Sequence, residues 1–99
     1  MSRMARPGRL SPSYRITIRL AIVNRPGMLG RITSAIGRAG GDIGAVDLVE
    51  ASPERVVRDL SVNAADEGHA GRIAAAVRRI GGVKVMNVSD RTFLLHLGG

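Results

Sequence analysis

Residues 24–30 read Asn24-Arg25-Pro26-Gly27-Met28-Leu29-Gly30, and they separate two patterns of different period. Upstream, residues 14–23 alternate: Tyr14, Ile16, Ile18, Leu20 and Ile22 share one face, and Arg15, Thr17, Arg19, Ala21 and Val23 the other. A period of two marks a strand with one buried face. Downstream, Met28, Leu29, Ile32, Ala35, Ile36 and Ala39 recur at threes and fours, which predicts an amphipathic helix over residues 27–39. Pro26-Gly27 suits the turn between them, because proline presets φ and glycine accepts a positive φ. Pro26 serves equally well as the first helical residue, where its missing N–H is no loss. Either way, the N–H groups of Gly27, Met28 and Leu29 lack intrahelical partners and sit at the positive end of a helix dipole. Such a junction can seat a carboxylate or phosphate, with Asn24 offering a donor and an acceptor beside it. The bland alternative is that Asn24 only caps the helix.

Working outward, Gly40-Gly41 ends the first helix. Residues 42–51 read as a second strand, Ser52-Pro53-Glu54 as a short turn and residues 55–64 as a third strand. On that third strand Val56, Leu60, Val62 and Ala64 share one face, with Val57, Asp59, Ser61 and Asn63 on the other. A short turn between neighbouring strands makes a hairpin. Asp66 is a good N-cap for a second helix, whose stripe is Ile73, Ala76, Val77 and Ile80. His69, Arg72, Arg78 and Arg79 fall on its solvated side, Gly81-Gly82 closes it, and Val83–Val88 forms a fourth strand. The order βαββαβ predicts a ferredoxin-like α+β fold: a four-stranded antiparallel sheet with two helices on one face.

Ninety-nine residues make one domain, and a hydrophobic content of 44% favours a folded chain. Tyr14 and Phe93 are the only aromatics, so aliphatic residues must build the core. Cysteine is absent, which excludes disulfides and thiolate metal sites and fits a reducing, cytoplasmic compartment. No apolar run approaches the roughly 20 residues of a membrane span, and no secretory signal is visible.

The net charge is +7, but Arg3, Arg6 and Arg9 lie in residues 1–13, which read as a disordered basic leader; the rest carries +4. The tail, residues 90–99, is apolar and ends Leu97-Gly98-Gly99. It reads as a linker toward something larger or as a docking surface.

Catalytic chemistry is not evident. No serine sits in a nucleophile elbow, and the eight carboxylates are scattered. His69 and His96 lack metal-ligand spacing and read as structural. Neither a catalytic residue, a metal site nor a cofactor is expected in this chain. A ferredoxin-like RNA binder stacks bases on sheet aromatics. The open face here offers Arg15, Thr17, Arg19, Asp59 and Asn63 without a ring, and Asp59 can pair with Arg15 or Arg19 across the sheet. Nucleic-acid binding is therefore a minor alternative.

The strand Ile16–Val23, the Asn24-Arg25-Pro26-Gly27-Met28-Leu29 turn, Ile32 and Ile36, and Gly40-Gly41-Asp42-Ile43 occur in the order of an ACT domain. The chain resembles that family, the small-molecule sensing module of many amino-acid-metabolising enzymes, over about residues 14–89. The tail from Ser89 to Gly99 looks like the junction after the N-terminal ACT domain of bacterial NAD-dependent malic enzymes (malate oxidoreductases). The resemblance implies a regulatory fragment whose catalytic domain follows. It further implies a homodimer joined through sheet edges or helices, with a small-molecule effector, commonly an amino acid, at the interface.

Carried over by position, Asn24, Pro26, Gly27, Met28 and Leu29 come from the turn of one copy, and Asp42 and Ile43 from the second strand of the other. Two departures stand out. Serine-sensing members have a histidine where this chain has Ile22, and an asparagine where it has Asp42. An aspartate holds an ammonium group but repels a carboxylate. A purely structural dimerisation module is the alternative. Pairing also has a physical basis, since an edge strand with Ile43, Val46, Leu48 and Val49 is a template for another strand.

Overall fold

The computed structural model describes residues 14–90. The elements are β1 (Tyr14–Val23), α1 (Met28–Arg38), β2 (Asp42–Ala51), β3 (Arg55–Ala64), α2 (Glu67–Arg78) and β4 (Val83–Asp90). Residues 1–13 and 91–99, including His96, lie outside the described residues. The strands form one antiparallel sheet in the order β2-β3-β1-β4. This is the ferredoxin-like α+β fold. β1, β2 and β3 have the bounds their alternation and turns predict. β4 runs two residues further than expected, because Ser89 and Asp90 pair with Thr17 and Ile16 of β1.

The core lies between the helices and one face of the sheet. Ile16, Ile18, Leu20 and Ile22 of β1 meet Leu60, Val62 and Ala64 of β3, under Ile32 and Ile36 of α1 and Ile73 and Val77 of α2. Ile22 faces this core, as its parity predicts. On α2 the buried stripe is Ala70, Ile73, Ala74 and Val77. Ala76 is only half-buried, and Ile80, beyond the helix end, packs against the rim of the core.

Helix ends follow local chemistry. Gly27, at φ 85°, is the N-cap of α1 and has no side-chain cap hydrogen bond. Asn24 is therefore not the helix cap. At the other end Gly41 N–H donates to Ile36 O and Gly40 N–H to Gly37 O, both at 2.9 Å. This is the Schellman pattern, with Gly40 at φ 87°. Asp66 caps α2, its carboxylate accepting from His69 N–H at 2.8 Å.

The two sheet edges are irregular. β2 carries register shifts between Ile43 and Ala45 and between Leu48 and Glu50, leaving Gly44 and Val49 as the extra residues. β4 carries one at Met86, opposite the Arg19–Leu20 step. Such bulges twist a strand and reset which residues face the core. Ile43 and Val46 thus pair with core-facing Val62 and Leu60 although they are an odd three positions apart.

Candidate functional site

β1 and α1 position the turn, and Asn24 fastens it. The Asn24 backbone N–H donates to Glu54 O at 3.0 Å, and its side-chain Nδ2 donates to Ser52 O at 2.9 Å. The β2–β3 turn that receives both bonds is itself closed by Ser52 N–H to Arg55 O at 2.8 Å. Asn24 thus spends its backbone N–H and one of its two amide N–H donors on structure and leaves Oδ1 as its one side-chain acceptor. Met28 N–H reaches back to Arg25 O at 3.4 Å, whereas the N–H groups of Leu29 and Gly30 have no acceptor among the described residues. Of the three donors the sequence implies, Gly27 and Leu29 have no acceptor among the described residues and Met28 has a long one, while Gly30 joins them because Met28 is the first helical residue.

A small cleft of about 70 Å³ opens at this turn, lined by Asn24, Arg25, Met28, Leu29, Val56 and Arg58 among others. Of the turn residues read from the sequence, Met28 is buried, Leu29 half-buried, and Asn24, Pro26 and Gly27 exposed. Arg58 was missed, yet its signal is legible. It interrupts the Val56–Leu60–Val62–Ala64 stripe with a guanidinium on the helix side of the sheet. Arg58 is half-buried and has no ion-pair partner among the described residues.

Asp42 and Ile43 are not in this cleft. Val23 pairs with Arg55 and Asp42 with Asn63, so eight residues of β3 separate the two groups. At about 3.4 Å per residue that is about 27 Å. Within one chain they occupy opposite ends of the sheet.

The open face presents no platform for bases. Arg19 grips Asp59 through Nε–Oδ1 at 2.8 Å and Nη2–Oδ2 at 2.9 Å, and Arg15 Nε donates to Asn63 Oδ1 at 3.0 Å. The cross-strand pairing expected of Asp59 is thus made with Arg19, and hydrogen bonding to Asp59 raises the Arg19 pKa. Tyr14, the one aromatic among the described residues, packs against the core.

His69 does not lie on a solvated face as its position suggested. It is half-buried and bridges the two helices: Nδ1 accepts from Ala65 N–H at 2.9 Å, and Nε2 donates to Ala39 O at 2.7 Å. No group of three or more metal-ligating side chains occurs among the described residues, and no described helix is long and apolar enough to cross a membrane.

Fold and geometry together define a ferredoxin-like module whose turn, rather than its sheet face, gathers free polar groups. The chain belongs to the ACT domain family, whose model matches residues 11–87. It is 45% identical over 96 residues to an NAD-dependent malic enzyme of Geobacillus stearothermophilus, covering 97% of this chain and 20% of that protein. It is 37% identical over 84 residues to NAD-dependent malic enzyme 1 of Bacillus subtilis (strain 168), covering 84% of this chain and 19% of that protein. The chain therefore spans about a fifth of the length of these relatives.

Among solved structures, the ACT domain from a GTP pyrophosphokinase of Chlorobium tepidum superposes with a TM-score of 0.64 at 19% identity, covering 80% of this chain and 99% of that one. A homoserine dehydrogenase from Thiobacillus denitrificans gives 0.62 at 21%, covering 80% and 17%. At such identities these two support the fold alone. The chain is an ACT domain, a regulatory kind of domain, and resembles that of malic enzymes.

Proposed function

We propose that this domain is the regulatory part of a cytoplasmic NAD-dependent malic enzyme, in which a small effector, an amino acid, biases a paired assembly. The observation that carries this reading is the unpartnered Arg58 beside the free N–H groups of α1. Beside Ile22, Val23 and Val56, with Asn24 and Arg25 at the rim, these are donors that a carboxylate would satisfy.

The turn cleft is far smaller than the roughly 300–1,000 Å³ of a ligand pocket, so one copy supplies half a site. Two-fold antiparallel pairing of β2 edges brings the Asp42 end of one copy beside the Ala51–Ser52 end of the other, where Asn24 is anchored. Asp42 and Ile43 of the second copy then close the cleft. Arg58 and α1 hold the α-carboxylate, while Asp42 and Asn24 Oδ1 hold the ammonium. Dinucleotide and metal chemistry fall to the four-fifths of the relatives' length that this chain does not span. An effector works only if it binds one arrangement of the pair better than another.

Thermal melting of the 99-residue chain against the amino acids, malate, fumarate and pyruvate tests the reading. A ligand at 100 times its Kd adds roughly 2.7 kcal/mol. The expected hit disappears in Asn24→Ala and in Arg58→Leu. A stable pair without any hit supports the second reading, a structural dimerisation module, which the small size of the turn cleft favours.

A further inference from the structure

A second cleft lies along the seam between α1 and the end of α2. It has a volume of about 620 Å³, within the range of small-molecule sites. Arg31, Ser34 and Arg38 of α1 line it at spacings of three and four, so they stand on one helical stripe. Arg79, the C-cap residue of α2, faces them. Gly27 and Gly30 leave its floor open, and a Cβ at either would meet nothing within 4 Å.

The lining is one-sided in charge. It holds three arginines and, among the described residues, no aspartate or glutamate. None of the three arginines has an ion pair or a side-chain hydrogen bond among the described residues. Like charges gathered in one concavity repel, and an anion relieves that repulsion. Ala35 and Ile80 are its only apolar side chains, and neither is large enough to anchor a partner. A permanent protein interface would have an apolar centre. A small anionic ligand fits this surface better than a docked protein segment.

The arrangement further selects among anions. Arg31 and Arg38 are seven residues apart, about 10 Å along the helix axis. Each guanidinium is a planar fork that matches the oxygens of one phosphate or carboxylate. A single carboxylate engages one fork and leaves two uncompensated. A chain of two or three phosphoryl groups reaches several at once. We propose that this arginine-lined cleft is a second, separate ligand site that binds a small molecule bearing a di- or triphosphate. The two clefts have no lining residue in common, although Gly27 and Gly30 of the turn stretch border this one, and the site stands whether or not the turn binds an amino acid.

Tripolyphosphate and ADP are titrated separately into the 99-residue chain at about 0.15 M ionic strength, where surface charges are already screened beyond ~8 Å. Amide shifts in NMR are the readout. The expected result is saturable shifts centred on α1 and on Arg79–Gly81. Replacing Arg38 and Arg79 by Gln weakens Kd roughly tenfold or more, the loss of about 1.4 kcal/mol. Gly30→Leu fills the floor and blocks binding while leaving the melting temperature as high or higher, because leucine is the better helix former. Asn24→Ala leaves the affinity unchanged, which separates this site from the turn. ADP binding tighter than tripolyphosphate identifies a nucleotide site, and the reverse identifies a polyphosphate site. An unchanged Kd in the double Gln variant, or shifts that never saturate, overturns the proposal. So does a single-stranded oligonucleotide that binds Gly30→Leu as well as it binds the parent chain, since that marks general phosphate attraction.

Discussion

His69 on α2 holds the C-cap carbonyl of α1: its Nε2 lies 2.7 Å from Ala39 O. Its Nδ1 simultaneously accepts from Ala65 N–H at 2.9 Å, just before the Asp66 cap. The Ala65 donor fixes the tautomer with the proton on Nε2, so the ring donates at one end and accepts at the other. One side chain thereby satisfies an orphan carbonyl at the end of α1 and an orphan N–H ahead of α2.

His69→Ala should therefore lower stability by about 2 kcal/mol, since the half-buried Ala39 carbonyl and the exposed Ala65 N–H lose their partners. For a chain of this size that is a fall in Tm of roughly 8–16 °C. His69→Gln should recover part of it, because an amide also both donates and accepts. Urea melts of the two variants give the comparison, and an alanine variant as stable as the parent would show that water replaces the ring at no cost.

Glycine-to-alanine changes should have opposite signs at two positions four residues apart. At Gly41 a Cβ would sit 2.8 Å from Ile36 Cγ2 and 3.0 Å from both Ile73 Cδ1 and Val62 Cγ1. All three neighbours are fully buried core residues, so Gly41→Ala should cost about 1–3 kcal/mol. At Gly37, inside α1, a Cβ would meet nothing within 4 Å. Gly37→Ala should gain about 0.5–1 kcal/mol by removing unfolded-state freedom. Thermal melts of both variants decide it.

These cases show which parts of the structure are legible in the residue pattern. β1 is readable to the residue, because ten residues alternate without a break and the Asn24–Gly27 turn stops them. Gly40 is readable as a helix stop for the same local reason. The bulges at Gly44, Val49 and Met86 are not, since an extra residue in an edge strand leaves no mark that composition or period reveals. The role of His69 is hidden too. It depends on where Ala39 lies after folding, thirty residues away, and a lone histidine on a helix carries no trace of that. Arg58 is the intermediate case. Its charge in a core-facing stripe is visible, but the stripe reads as apolar unless the exception itself is taken as a signal. Asp42 and Ile43 stand at the far end of the sheet from Asn24. Only a second copy makes one site of them.

Tyr14 provides an optical reporter on the β1–β4 edge. Its hydroxyl donates to Asp90, and this hydrogen bond, followed by burial and the negative charges of Asp90 and Glu67, raises its pKa above 10.0. A group whose folded pKa is raised contributes stability that is fully present below its unfolded pKa and is lost as pH rises through the folded one. Stability should hold to about pH 10 and decline above it. Tyr14 is the only tyrosine, so the phenolate absorbance titrates this group alone. Asp90→Asn should move the midpoint back toward that of a free phenol.

Leu48 is 59% exposed on β2, with Val46 and Val49 also exposed beside it, although its ladder partner Arg58 faces the helix side of the sheet. Neither helix reaches far enough over this edge to cover the three. An apolar edge strand with free backbone groups is a template for pairing. If two copies pair along β2, each Leu48 is buried once in the joined sheet. Leu48→Glu removes roughly 1.5–3 kcal/mol of apolar burial per copy and sets two carboxylates near the two-fold axis. Since every 1.4 kcal/mol is tenfold, sedimentation should find the pair weakened by roughly 100-fold or more. The melting temperature of the separated chain should stay near that of the parent, because so exposed a leucine supports little of the monomer's own core. If Leu48→Glu sediments as the parent does, pairing runs through the helices or through β4, and Asp42 of a second copy cannot complete the turn site.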